Sequence, residues 1–381
     1  MKICAIICEY NPFHSGHAHQ ISEIKKKYDR IICIMSGNFT QRAEPAVFDK
    51  YFRARQAVLH GADMVLQLPT PYAISSAENF AKGAVNALKN FPISALSMGM
   101  ENDDKNLLDV IIKTQSTNEY LTVLKKHLKT GVSYATACVK AVCDLNKTNG
   151  IEEFFSKPNN MLALEYVKAI KQYNLDWEIL PIKRQDNFNN ENISGEFASA
   201  SAIRKAISND ELNNISSYVD YTNEINNQPR CDMSLFEEIA LYSLKNSSSD
   251  KVKGLADAHE GIENKLIKNA LLCTNLSDCQ NKTKSKRYTH ARIRRLVLQN
   301  LLEIKKSDVV FPNDLKLQLL AVSKSFSKEI KGFSNYIYAT GKDSLNEEIS
   351  CFTKIEERAE KLYSTLTHTP YNGIAKKLER I

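Results

Sequence analysis

No apolar run in this chain approaches the ~18 to 20 residues that cross a bilayer, and no basic segment followed by an apolar core opens it. A cytoplasmic protein is therefore expected. No C-x-x-C pair occurs, and the nine cysteines are odd in number. Cys138 and Cys143 lie five apart on a helical stretch without a matching pair, while Cys4, Cys8 and Cys33 fall in predicted strands. That usage argues against a disulfide framework and a structural zinc site; it fits small apolar residues in a reducing compartment. Internal repeats and long low-complexity segments are also missing, and such stretches say little about function.

What is present describes an ordinary globular chain of 381 residues, 25% charged and 43% hydrophobic, long enough for two or three domains. The net charge of +7 is unevenly spread. Between Lys251 and Asn300 there are eleven Lys/Arg against four Asp/Glu, an excess equal to the whole chain's. A local basic region of this kind suits a polyanion such as RNA, although a solvated helix face has the same composition.

Through the first ninety-odd residues strands alternate with helices: Ile3 to Cys8, a helix to about Tyr28, Arg30 to Met35, a helix around Lys50 to His60, Met64 to Leu68, a helix near Ala77 to Asn90, then Ala95 to Met98. This alternation predicts an α/β, Rossmann-like parallel sheet with right-handed crossovers. Leu107 to Asp144 is helical in period, Pro158 opens another helix through Ile170, and Trp177 to Ile182 reads as a late strand. Lys183 to Glu196 is polar and Asn-rich, a loop in this reading, before a helix starting near Phe197 with Ser199 and Ser201 available as caps. The Asn-rich stretch Tyr221 to Gln228 marks the expected boundary between a first domain, 1–220, and a mostly helical second, 221–381, whose last ten residues are expected to be loosely ordered.

The first strand breaks into Glu9-Tyr10-Asn11-Pro12-Phe13-His14-Ser15-Gly16-His17 and then turns helical at Ala18. Pro12 stops the strand, and Gly16 admits a close backbone approach. The amino terminus of the following helix would lie beside His14 and His17, where anionic phosphate is favoured. Imidazole N–H groups there would stabilise the charge that develops as a triphosphate is cleaved. A pair of loop histidines or two ligands of a metal would leave the same three-residue spacing; position after the first strand of a parallel sheet favours the phosphate reading. The loop after the second strand, Ser36 to Pro45, brings Ser36, Asn38, Gln41 and Arg42 over the same crevice.

Taken together, E-Y-N-P-F-H-S-G-H, M-S-G-N-F-T-Q-R, G-A-D with L-P, F-A-x-G-A, P-N-N and F-A-S-A-S-A-I-R resemble the tRNA(Met) cytidine acetate ligase family, and the likeness extends to Lys286-Arg287-Tyr288-Thr289, Arg292 and Arg294. The sequence departs from the family pattern at Ala43 and Ala163, where glycine is usual, and at Met100, where serine is usual. The resemblance implies a nucleotidyltransferase-fold, adenylate-forming ligase that uses ATP and acetate to make N4-acetylcytidine at the wobble position of elongator tRNA(Met), with Mg²⁺ expected on the phosphates. It places ATP against Ile7, Cys8, Glu9, Tyr10, Asn11, Pro12, Phe13, His14, Ser15, Gly16, His17, Ala18, His19 and Gln20, with Gly99, one asparagine of Asn159-Asn160 (Asn160 preferred) and Arg184. His14 and His17 take the catalytic role, Ser199, Ser201 and Arg204 stand where a second phosphate-binding helix begins, and Lys286, Arg287, Arg292 and Arg294, with Lys284 and Arg295, are candidates for the RNA backbone. Two other readings are open on the residues: a small-molecule adenylyltransferase with the same H-x-G-H, and an RNA-binding protein with a vestigial nucleotide site.

Overall fold

In the computed structural model, which describes residues 1–101, 104–183, 197–338, 351–373 and 378–381, the chain folds around a mixed sheet. Its strands are β1 (Ile3–Cys8), β2 (Arg30–Ser36), β3 (Met64–Leu68), β4 (Ile93–Met100), β5 (Glu178–Lys183), β6 (Leu317–Val322), β7 (Ile337–Tyr338) and β8 (Glu379–Arg380). They run in the order β5-β4-β1-β2-β3-β6-β7, with β8 alongside β6. The first five pair in parallel, and β6 joins β3 antiparallel with Met64 opposite Val322. Strands covered on both faces need apolar residues at every position, which is why Ile3–Ile6 and Ile31–Met35 read as unbroken runs. This is the expected Rossmann-like class. Strand order reverses at β1, so its carboxyl end, which leads into His14, lies at the crevice where ligands bind open α/β sheets.

Three helices, Lys105–Gln115, Asn118–Lys129 and Tyr134–Leu145, fill the segment that was helical in period. The polar loop expected at Lys183 to Glu196 falls, from 184 onward, outside the described residues. Among the described residues no helix is long and apolar enough to cross a membrane.

The second half is less uniformly helical than its pattern predicts. Residues 240–297 have a helical core of their own, containing Leu244, Val252, Leu266 and Leu296. Farther on, however, β6 adds an edge to the first-half sheet and the helix Thr353–Leu366 packs back on it. The terminal stretch carries β8, with Ala321 opposite Glu379. The return of β6 is invisible locally because its partner β3 lies more than two hundred residues away. A buried polar lattice fastens these returns: Lys50 Nζ contacts Glu360 at 2.7 Å, Gln67 at 2.6 Å and Gln318 at 3.0 Å. Glu356 accepts from Thr70 N at 2.6 Å and from Gln67 at 2.6 Å. Burial pushes the Glu356 carboxyl above its ordinary pKa; desolvation is the largest influence on the Lys50 ammonium and works against it, but Glu360, Tyr51 and Glu356 together outweigh it and raise the Lys50 pKa.

Arg53, on the helix Lys50–Leu59, is completely buried. Its Nε donates to Phe48 O at 2.9 Å, Nη1 to Glu9 O at 2.5 Å, and Nη2 to Gly37 O at 2.5 Å, while both Nη atoms reach Ser36 O at 3.3 Å. One guanidinium thus ties the carbonyls that end β1 and β2. A lysine has no planar fork to serve four carbonyls at once, so Arg53→Lys should lower the unfolding free energy by about 3 kcal/mol. Urea denaturation tests this; a midpoint within error of wild type would show that the clamp is dispensable.

Candidate active site

The helix Ser15–Lys25 starts under an unusual cap. His14 Nδ1 accepts from Gly16 N–H at 3.1 Å, and His17 Nδ1 accepts from His14 N–H at 3.3 Å, a reciprocal capping box built from two imidazoles. Each neutral ring whose Nδ1 accepts a hydrogen bond must carry its proton on Nε2. The cap therefore sets both tautomers and leaves two Nε2–H donors. The rings lie 3.8 Å apart between centroids at 33°, and Tyr10 meets His17 edge-on at 4.8 Å. Gly16 serves this arrangement directly: a Cβ there would sit 3.0 Å from His14 Cε1 and 3.2 Å from Nδ1. Glycine at this position makes room for an imidazole.

His14 and His17 line a cleft of about 410 Å³ at the carboxyl ends of β1 and β4. Ile7, Cys8, Glu9, Tyr10, Asn11, Gln20 and Gly99 line it too, whereas Pro12, Phe13, Ser15, Gly16, Ala18 and His19 do not. From the loop after β2, Gln41 and Arg42 reach the cleft. Asn38 turns away to Glu360 at 3.2 Å, and Ser36 donates to Glu9 at 3.3 Å. The helix Ala200–Ser208 closes the opposite wall under its Ser199 cap, with Ser201 and Arg204 beside it. Arg204 donates to Asn11 O at 2.7 Å and to Ser201 Oγ at 3.1 Å, and burial, then the neighbouring Arg42 charge, hold its pKa below the usual value. Two guanidiniums and two imidazoles lining one cleft suit an oligophosphate.

Of the two adjacent asparagines, Asn159 lines the cleft. Asn160 is fully buried: its Oδ1 accepts from Glu101 N at 3.1 Å and its Nδ2 reaches Phe154 O at 3.4 Å. Helical spacing rotates neighbours by about 100°, so only one of the pair can face a given wall. Arg184 lies outside the described residues. Thr40, Glu44, Phe80, Leu162 and Tyr166 also line the cleft without having been singled out in the sequence. Thr40 and Phe80 belong to the quoted M-S-G-N-F-T-Q-R and F-A-x-G-A segments, whereas Glu44, Leu162 and Tyr166 arrive from elements that meet at the cleft only in three dimensions. A larger cavity, about 670 Å³, lies among the helices carrying Tyr120, Tyr134 and Lys168, away from the histidines.

Residues 1–377 match the HIGH nucleotidyl transferase family. Among curated relatives, the tRNA(Met) cytidine acetate ligase of Thermoanaerobacter sp. (strain X514) is 36% identical over 96% of this chain and 92% of its own length. The protein of the same name from Oceanobacillus iheyensis is 32% identical over 100% and 97%. The chain belongs to the tRNA(Met) cytidine acetate ligase family. Solved structures of Thermotoga maritima TmcAL, one bound with alpha-thio ATP and one apo, superpose over the full length of both chains with TM-scores of 0.86 and 0.88 at 25% and 26% identity.

The basic residues divide by what they touch. Lys286 and Arg287 are exposed. Arg292 is engaged within the fold, donating to Asp257 O at 3.1 Å, His259 O at 2.7 Å and Glu260 at 2.9 Å. Arg295 pairs with Asp257 at 2.5 Å. Arg294 meets Glu44 at 2.6 Å, which joins the helix His290–Leu302 to the rim of the cleft. Ala43, where the family pattern has glycine, takes a left-handed φ of 58° in this same rim; the residue bears the strain that glycine would avoid.

Gly16→Ala pushes a methyl group against the His14 ring and should weaken ATP binding roughly tenfold while shifting the melting temperature by less than about 4 °C. Calorimetric titration with ATP reads the first quantity and a thermal melt the second; undiminished affinity would show that the ring position is immaterial.

Proposed function

We propose that the chain is a cytoplasmic, ATP-dependent ligase that activates acetate as acetyl-adenylate and transfers the acetyl group to N4 of the wobble cytidine of elongator tRNA(Met). The observation that carries this reading is the imidazole capping box, which presents two Nε2–H donors beside Arg204 in a cleft at the end of β1. Names carried by full-length relatives and the alpha-thio ATP in the Thermotoga maritima structure support the substrates.

In the first step an acetate oxygen attacks the α-phosphorus of ATP, a P–O bond forms, and the bond to the β-phosphate oxygen breaks so that pyrophosphate leaves with the electron pair. The Nε2–H groups of His14 and His17 donate to oxygens that gain charge in this exchange, and Arg42 and Arg204 offset the charge on the departing group. Neither histidine need exchange a proton. In the second step the cytosine amine, its lone pair delocalised into the ring, attacks the acetyl carbonyl carbon; the C–O bond to AMP breaks, AMP departs, and N4 loses one proton to solvent. Activation supplies what free acetate lacks, since a carboxylate is inert toward so weak a nucleophile. Among the described residues no group of three His, Cys, Asp or Glu side chains could hold a metal ion. Mg²⁺ would accompany ATP, bound mainly through phosphate oxygens.

The nucleotide site comprises the cleft-lining members of Ile7 to Gln20, Gly99 and Asn159, with Arg184 completing it. An anticodon loop approaches over Lys286 and Arg287; its bases are already single-stranded, so bringing one to the cleft costs little.

Purified protein incubated with ATP, labelled acetate and elongator tRNA(Met) transcript should yield acetylcytidine by nucleoside mass analysis, and omission of either ATP or acetate should abolish it. Pyrophosphate exchange driven by a phosphorylated metabolite in place of acetate would replace this reading with a small-molecule adenylyltransferase. His14→Ala should reduce product by a factor on the order of 100 while leaving tRNA affinity unchanged; retained product would remove the histidine from the chemistry. Joint replacement of Lys286 and Arg287 by alanine should weaken tRNA binding and flatten its log–log salt slope by about 2. An unchanged slope would move the RNA surface elsewhere.

A further inference from the structure

Among the helix amino termini that border the cleft, three differ in electrical character. The helix Ser15–Lys25 is capped by neutral imidazoles and Ala200–Ser208 by the hydroxyl of Ser199. The helix Pro158–Gln172 has no side-chain cap from its own N-cap residue, Lys157. Its first free N–H groups are taken instead by a carboxylate at the end of β4: Glu101 Oε1 accepts from Asn159 N at 3.4 Å and Oε2 from Asn160 N at 3.2 Å. A phosphate brought to this helix would meet a fixed negative charge, whereas at the other two it meets donors. The side chains beside it are apolar, Met98 and Leu162 among them. This end of the cleft therefore suits the uncharged base of the nucleotide.

The same carboxylate also decides which end of one amide faces that base. Asn159 Nδ2 donates to Glu101 Oε1 at 2.6 Å, and Asn159 lines the cleft. A carboxylate can only accept, so the amide nitrogen is held against Glu101 and Oδ1 is left as the polar atom offered to a ligand. We propose that Glu101 is a positioning residue that locks Asn159 as a hydrogen-bond acceptor and thereby selects a purine bearing an exocyclic amino group over one bearing a carbonyl at the same place. This rests on the nucleotide reading of the cleft and adds to it a basis for choosing ATP. With adenine, Oδ1 receives the N6–H; with hypoxanthine, two acceptors confront each other and neither is satisfied.

The test needs neither acetate nor RNA. Dissociation constants for ATP and inosine triphosphate are measured by calorimetry on wild type, Glu101→Gln and Asn159→Ala. Wild type should prefer ATP. Glutamine at 101 can donate as well as accept, which frees the Asn159 amide to turn, and the ATP-to-ITP preference should fall roughly tenfold. Asn159→Ala, lacking the acceptor, should lose the preference to a similar extent. A carboxylate that only stabilises the helix would weaken both nucleotides alike; an unchanged ratio in the two variants overturns the proposal while leaving the nucleotide site standing. Wild-type protein that binds ATP no better than ITP overturns it as well, and wild type that binds neither overturns the nucleotide reading itself.

Discussion

The Arg53 guanidinium is the constraint on which the crevice depends. Parallel strands end in carbonyls that their own ladder leaves unpaired, and two such ends, at Glu9 and at Ser36 and Gly37, converge on this one side chain. A buried charge is costly unless it is saturated with hydrogen bonds, and here the saturation is by backbone dipoles. The two loops leaving β1 and β2 therefore depart from a common anchor. One supplies His14 and His17, the other Gln41 and Arg42, and their mutual placement follows from that anchor more than from contacts between the loops.

Above the anchor, function is built from caps. An imidazole pair does what a serine and glutamate do at an ordinary helix start: the two Nδ1 atoms satisfy backbone donors, which puts the ring proton on the opposite edge at Nε2. Structural and chemical roles are thus carried by opposite edges of the same rings. A larger cavity lies among the helices around Tyr134, yet its lining includes no histidine or arginine.

The return of β6 and the helix Thr353–Leu366 to the first-half sheet gives the chain a common core despite its two compositional halves. Lys50, Glu356 and Glu360 secure that return through charges enclosed in amides and backbone groups. Removal of any one partner would strand another, so this lattice specifies the register of the return as much as it stabilises it. Arg294 and Glu44 form the corresponding tie on the cleft side, and place the basic helix at the entrance to the site.

Much of the fold was legible because its signals are short in range. Unbroken apolar runs marked β1 to β3, and the break at Pro12 with H-S-G-H marked the paired histidines at the end of β1. Those features depend on strand period, helix period and turn chemistry, all contained within a dozen residues. Which of Asn159 and Asn160 lines the cleft was not legible, since it depends on where Glu101 lies. Nor was the contrast between exposed Lys286 and Arg287 and the enclosed Arg292, which turns on carbonyls at Asp257 and His259. The strand β6 was hidden for the same reason, its identity depending on an edge at β3 far away in the chain. Local sequence thus determined the elements and the reactive motif, while tertiary structure decided which polar side chains face the cleft and which are spent on the fold, because a hydrogen-bonding group is assigned by the partner nearest in space.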